Sequence, residues 1–348
     1  MKNRIPKSIL IIVLWVLLCV MASCSGPSPD TKAQVQPQQQ VPASQPPASA
    51  QPKPKIIESF RFVVMADSRG IDKGVNSVEV KKTMEALKKL TPQPVFAVMP
   101  GDLVDGSKTY KGVKQQLEYF KKLVTQYYPA EFFYPGLGNH ETAYDSGGEK
   151  AFGEVFTEFE AGFLQDYGRT VYFFDHGNAR IFMLNSNYPG ERHIISDKQL
   201  EWVRDNLDET KSHNIFFVHE PPYPTGSHVG SALDSNRLQR NKLWSVVDSS
   251  QSSMLFCGHE HNYTRRHINS DFNETVGGVE FKYEQSVYQV TAGSFGAPLY
   301  TKYTSKKNVD IPPVAQYHFA VVDIDDSVKV KVYNLEGEVL DEFEQSKQ

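Results

Sequence analysis

Six residues of metal-ligating type, Asp67, Asp102, Asn139, His219, His259 and His261, lie at or just after the ends of apolar runs, and three of them directly follow a glycine. Carboxylate, amide and imidazole donors without a thiolate suit hard or borderline divalent metals such as Zn, Mn and Fe. A single Gly-Asp or Gly-x-His-x-His could be an ordinary turn. The ordered series Asp67, Gly101-Asp102, Gly138-Asn139-His140-Glu141, His219 and Gly258-His259-Glu260-His261 is hard to account for except as a ligand set. Three further residues stand close to it in sequence. Arg69 follows Asp67 by two, Asp105 follows Asp102 by three, and His228 sits on a Gly/Ser loop after His219. Cys257 closes an apolar run and reads as an inert core thiol.

The elements that must position these groups are legible in the periodicity. Phe60–Ala66, Val95–Met99, Phe132–Tyr134, Ile181–Leu184, Ile215–Val218 and Met254–Cys257 read as strands. Val78–Leu90 and Val113–Tyr127 repeat apolar residues at helical spacing. Ser196 with Gln199 three residues on predicts a capping box opening another helix. Strands alternating with helices argue for an α/β fold, and ligands in such folds gather at the carboxyl ends of the strands. In the C-terminal third, Gln285–Thr291, Tyr317–Ile324, Val328–Tyr333 and Val339–Phe343 read as strands with few helices between them. A second, more antiparallel sheet is expected there.

Charge and composition narrow the function classes. Of 37 basic and 41 acidic residues, six and one lie in residues 1–55, so the remainder carries 31 against 40, a net of −9. So acidic a body is a poor nucleic-acid binder, and its 40% hydrophobic content excludes a wholly disordered chain. Lys2, Arg4 and Lys7 before the apolar run Ile9–Leu18 read as a secretory signal over residues 1–23. Met21-Ala22-Ser23-Cys24 resembles a lipobox, in which Cys24 becomes lipidated; an ordinary signal peptide or an uncleaved anchor are the other readings. All three put the body outside the cytoplasm. Residues 25–55 hold eight prolines and seven glutamines, which makes 24–55 an extended tether with no core of its own. The body is then 56–348, and the lipid would hold it to a bacterial cell membrane.

Together the motifs from Phe60 to Tyr263 resemble the calcineurin-like metallophosphoesterases, and the C-terminal region is similar to the purple-acid-phosphatase-like branch. The resemblance implies a four-layer α/β/β/α sandwich of two mixed sheets flanked by helices, with a two-metal site. Carried over by position, Asp102 would bridge two divalent or mixed-valence ions (Zn, Mn or Fe). Asp67 and His261 would hold one, while Asn139, His219 and His259 would hold the other. His140 would face the substrate and assist the departing oxygen, with Glu141 as the partner orienting it. Most of the family has a histidine where Arg69 stands, and an arginine cannot ligate. The purple-acid-phosphatase branch has a tyrosine where Asp105 stands. Asp105 completing the first site, Arg69 holding phosphate, and a weakly bound first metal all remain open; Arg69 as a phosphate group paired with Asp105 is favoured. His228 could line the substrate pocket.

The implied activity is hydrolysis of phosphate mono- or diesters by a metal-activated hydroxide, acting on a small-molecule substrate selected by loops 142–166 and 221–238. The alternatives are a degenerate one-metal or metal-free binding lipoprotein, supported by Arg69, and a wall-binding module whose loops a metal holds together.

Overall fold

A computed structural model of the protein describes residues 59–250 and 252–346. The proposed signal segment, Cys24 and the tether lie outside those residues. Two large mixed sheets stack face to face. The first has six strands in the order Val339–Ser346, Ser327–Asn334, His318–Ile324, Phe60–Val64, Phe96–Met99, Phe133–Pro135. The second has eight, in the order Val309–Val314, Tyr263–Ile268, Val287–Ala292, Ser252–Cys257, His213–Val218, Ala179–Leu184, Tyr172–His176, Gly162–Phe163.

Strand periodicity explains the layering. In His213–Val218, Ile215 and Phe217 belong to the core between the sheets, whereas Phe216 and Val218 face outward beneath helices. Met254 and Phe256 against Leu255 and Cys257 repeat the alternation one strand over. Side chains of period two that are apolar on both faces can be satisfied only by a cover on each side. Helices Asp197–Asp205 and Arg237–Ser249 supply the outer cover of the second sheet, and Ser77–Leu87 and Tyr110–Val124 that of the first. Phe62 stacks on Phe96 at 5.0 Å and meets Phe217 of the opposite sheet edge-on at 6.4 Å. The result is the α/β/β/α sandwich.

The separate antiparallel sheet expected of the C-terminal third does not form. The strands from His318 to Ser346 add antiparallel to the free edge of Phe60–Val64. Val287–Ala292 instead pairs parallel with Ser252–Cys257, in the other sheet. Strand pattern specifies which face is apolar but not which edge is open, so local sequence could not assign these strands. The predicted capping box is half made. Ser196 accepts the Gln199 amide hydrogen at 3.4 Å, but the Gln199 side chain clasps the main chain of Asn185 at 3.1 and 2.9 Å instead of returning to Ser196. Among the described residues, no helix is long and apolar enough to cross a membrane.

Phe96 touches Phe62, Tyr134, Phe174 and His176 at the centre of this stack. Phe96→Ala is expected to lower unfolding free energy by about 3–5 kcal/mol. Urea denaturation checks it, and a loss under about 1 kcal/mol would mean the site collapses onto the gap.

Candidate metal centre

The loops leaving Phe60–Val64, Phe96–Met99, Phe133–Pro135, His213–Val218 and Ser252–Cys257 converge on one edge of the sandwich. Two three-residue donor groups result: Asp67, Asp102 and His261, and Asp102, His219 and His259. Within each group the donor atoms lie within 4.8 Å of one another, every residue is buried, and Asp102 belongs to both. His219 Nε2 stands 3.3 Å from Asp102 and 3.0 Å from Asn139 Oδ1, which adds the amide to the second group. His261 Nε2 is 3.5 Å from Asp67.

The ring orientations are set by main-chain carbonyls. The Nδ1–H of His219 donates to Pro100 at 3.0 Å and that of His261 to Pro298 at 2.7 Å, leaving each Nε2 lone pair aimed inward. His259 turns Nε2 toward the Ser231 carbonyl at 3.4 Å, leaving Nδ1 as its donor. Asp67, Asp102, His259 and His261 all adopt left-handed backbone, with φ of 61°, 50°, 71° and 46°. Each such residue costs roughly 1–3 kcal/mol and persists only where its surroundings hold it. Here the loops interlock: Ser68 N–H donates to Asp102, Ala297 N–H to Asp67 and Gly258 N–H to His219. Two glycines are required by close approach. A Cβ on Gly138 would sit 2.3 Å from Asp102 Oδ1, and one on Gly258 would sit 2.6 Å from Asp67 Oδ2.

Electrostatics show that the cluster fits a cation. Burial works against ionised Asp102, but His219 and His140 outweigh it and hold the carboxyl well below the usual range. Burial would depress His219, but Asp102 pushes it up to about 10. Burial, reinforced by His219 and His228, pushes His259 down. Asp102 Oδ2 is buried without a hydrogen-bond partner, an arrangement that calls for an ion or a water. Two carboxylates, an amide and three imidazoles with one carboxylate oxygen unsatisfied match a divalent metal of the Zn, Mn or Fe kind.

Glu141 does not orient His140, contrary to expectation. It is fully buried and accepts the main-chain N–H groups of Gly138 at 2.8 Å, Val104 at 2.9 Å and Asp102 at 3.2 Å. The short helix Asn139–Thr142 places it in the first turn, where a carboxylate folds back onto orphan amides. Burial and the Asp102 charge push it up to about 7 against those donors. Glu141 is therefore the brace that binds two ligand-bearing loops together. His140 meets Asp105 instead. Its Nδ1 is 3.0 Å from the Asp105 carbonyl, and its Nε2 is 4.0 Å from Asp102 Oδ2.

The other anticipated residues also gather here. Arg69 pairs with Asp105 at 3.3 Å and reaches the Tyr300 hydroxyl at 3.4 Å, with its Nε buried and unpartnered. The His228 ring lies 3.8 Å from that of His259. Burial pushes the Cys257 thiol up to about 12, as an inert core thiol requires. Sequence reasoning missed Tyr300, which stacks on His261 at 4.3 Å and 12° from a loop without any motif. It also missed Glu260, whose carboxylate accepts the N–H groups of Gly226, Ser227 and His228 and so holds that loop. Glu220, buried beside His219, binds His193 at 2.8 Å and Asn187 at 2.8 Å; its charge in an apolar context was the available signal.

A four-layer sandwich with such a donor set at its strand ends is the architecture of metal-dependent phosphoric ester hydrolases. Residues 60–263 match the calcineurin-like phosphoesterases, and the chain belongs to that family. Among solved structures, purple acid phosphatase PPD1 from yellow lupin (Lupinus luteus) seeds is similar at 15% identity and a TM-score of 0.62, covering 85% of this chain and 55% of that one. PhoD is similar at 11% identity and 0.58, covering 84% and 73%. GAP50, the anchor in the inner membrane complex of Plasmodium, is similar at 14% identity and 0.55, covering 83% and 89%. These likenesses establish the shared fold. The chain thus spans 55% of the length of the lupin enzyme. No curated protein matches it.

If Glu141 braces the centre, Glu141→Gln, which loses one carboxylate acceptor, should weaken metal binding about 10–100-fold. Calorimetric titration of the metal-free protein measures this, and unaltered affinity would refute the brace.

Proposed function

We propose that the protein hydrolyses phosphate mono- or diesters at a two-metal centre on a domain anchored to the bacterial envelope. The observation that carries this reading is the pair of donor groups sharing Asp102, whose buried Oδ2 has no hydrogen-bond partner among the described residues. In it, Asp102, Asp67 and His261 would hold one ion, and Asp102, Asn139, His219 and His259 would hold the other. Metals so held supply a lowered pKa for water and neutralise the phosphoryl oxygens. His140, free at Nε2 and 4.0 Å from Asp102, hydrogen-bonds or protonates the departing oxygen. Arg69 offers a guanidinium whose partners among the described residues are the long contacts to Asp105 and Tyr300, so it has donors to spare for phosphoryl oxygens. His228 lines the substrate side. Retention of two full donor groups argues against the degenerate-scaffold alternative that Arg69 suggests.

Anchoring rests on the sequence: a signal over residues 1–23, lipid on Cys24, and a proline-rich tether to residue 55. Such a chain would work outside the cytoplasm on a small phosphate ester, and nucleic acid would be repelled by the acidic body.

Reconstituted with Zn, Mn or Fe, the protein should cleave an aryl phosphate, and Asp102→Ala should lose both metal and turnover. His140→Ala should keep its metal, measured by elemental analysis, and lose about 10²–10⁴ in kcat. Turnover in Asp102→Ala equal to that of the parent would sink the assignment; no turnover with any metal would favour the binding lipoprotein. Separately, Cys24→Ser should move the protein from the membrane fraction to the soluble one, and unchanged partition would exclude the lipid anchor.

A further inference from the structure

A cavity of about 230 Å³ lies between two stretches of chain, with Thr142, Asp145 and Glu149 on one and Asn187, Tyr188 and Arg192 on the other. Its position follows from its walls. Thr142 ends the four-residue helix that begins with Asn139 and His140. Asn187 donates its amide hydrogen to Glu220 at 2.8 Å, and Glu220 is the residue after His219. The cavity therefore flanks the Asn139–His219 side of the centre and starts two residues beyond His140. Its floor is rigid: Asn187 is 3% exposed, with its oxygen taken by Ser186 and its nitrogen by the Glu220 carboxylate that His193 also grips.

The walls carry charges that nothing else uses. Among the described residues, the side chains of Asp145, Glu149 and Arg192 have no hydrogen bond and no ion pair, not even with one another. Elsewhere on the surface acids and bases do pair, as Lys114 does with Glu154 and Lys242 with Asp197. Tyr188 donates its hydroxyl to the Asp166 carbonyl at 2.6 Å, which fixes its ring at the edge of the space.

Resting on the hydrolase reading above, we propose that this cavity is the leaving-group subsite and takes a neutral, polyhydroxylated alcohol, so that the substrate is the phosphate ester of a sugar-like molecule. The chemistry of the walls excludes the other classes. An alkyl or lipid group would strip water from three charged side chains and return no hydrogen bond. An anionic leaving group, such as one bearing a second phosphate, would meet Asp145 and Glu149. A cationic one would leave Arg192 without an acceptor, as an anionic one would leave Asp145 and Glu149 without a donor. Hydroxyl groups both donate and accept, so neighbouring hydroxyls satisfy carboxylates on one wall and a guanidinium on the other. In the reaction, the bond from phosphorus to the alcohol oxygen breaks and one to a water oxygen forms. His140 gives a proton to the alcohol and regains one from that water.

The test uses the metal-loaded full chain with glucose 6-phosphate and p-nitrophenyl phosphate, in parent, Glu149→Gln and Arg192→Ala. Both substitutions lie outside the donor groups and His140. The expected result is a loss of about tenfold or more in kcat/KM for the sugar phosphate, carried mainly by KM, as removal of a charged hydrogen-bond partner implies. Hydrolysis of the aryl ester should stay within about twofold. Calorimetric binding of a non-hydrolysable sugar phosphonate should weaken in parallel. Equal effects on both esters, or no effect on either, would overturn the subsite. If the parent cleaves neither ester, the hydrolase reading falls and calorimetry still decides: phosphonate affinity lost in the variants upholds the subsite, and affinity unchanged or absent overturns it.

Discussion

The arrangement on which the rest of the protein depends is the burial of Asp102 among imidazoles with one oxygen unsatisfied. A carboxylate removed from water is costly unless positive charge or hydrogen bonds replace the lost solvation. His219 and His140 supply part of that, and a bound metal would supply the remainder. Nearly every irregular feature nearby serves to bring donors to this one group. The left-handed residues turn side chains inward, Gly138 leaves room for the carboxylate, and Glu141 ties the loops of Asp102 and Gly138 into one unit.

The sandwich beneath makes such a site affordable. Parallel strands buried on both faces end together, and their outgoing loops must run over the same edge. Six ligand-type residues separated by up to 194 positions in sequence are thereby brought within a few ångströms. Phe62, stacked on Phe96 and edge-on to Phe217 of the opposite sheet, is packed between the sheets, so the loops are anchored on a core that resists displacement. Loops with four left-handed ligands would not hold their shape on a softer base.

Around this shared centre the chain has individual features. Arg69 stands against Asp105 and Tyr300, and the donor groups Asp67–Asp102–His261 and Asp102–His219–His259 form without it. The guanidinium therefore adds fixed positive charge at the mouth of the site instead of subtracting a ligand. Tyr300, stacked on His261 and touching Arg69, closes the same side. His228, on the loop that Glu260 holds through the N–H groups of Gly226, Ser227 and His228, lies beside it, its ring 5.6 Å from that of Tyr300. Together Arg69, Tyr300 and His228 gather polar and cationic groups on the His259–His261 side of the centre.

The sequence by itself determined the strands, their two-faced burial and the inventory of donors. Strand and helix periods are local properties of side-chain spacing, and polar residues of ligand type are conspicuous where an apolar run stops. Asp67, Asp102, Asn139, His219, His259 and His261 were all legible on that ground. So was the Arg69–Asp105 pairing, from the two positions at which the motif series departs from its relatives. Only the tertiary structure decided where a side chain points within its loop and which distant backbone it meets. Glu141 turns back to amides 37 and 39 residues away instead of to its neighbour His140. Tyr300 arrives from a loop with no pattern, and the C-terminal strands choose the free edge of Phe60–Val64. Such choices depend on which polar groups and strand edges the rest of the fold leaves unsatisfied, and no local stretch of sequence contains that information.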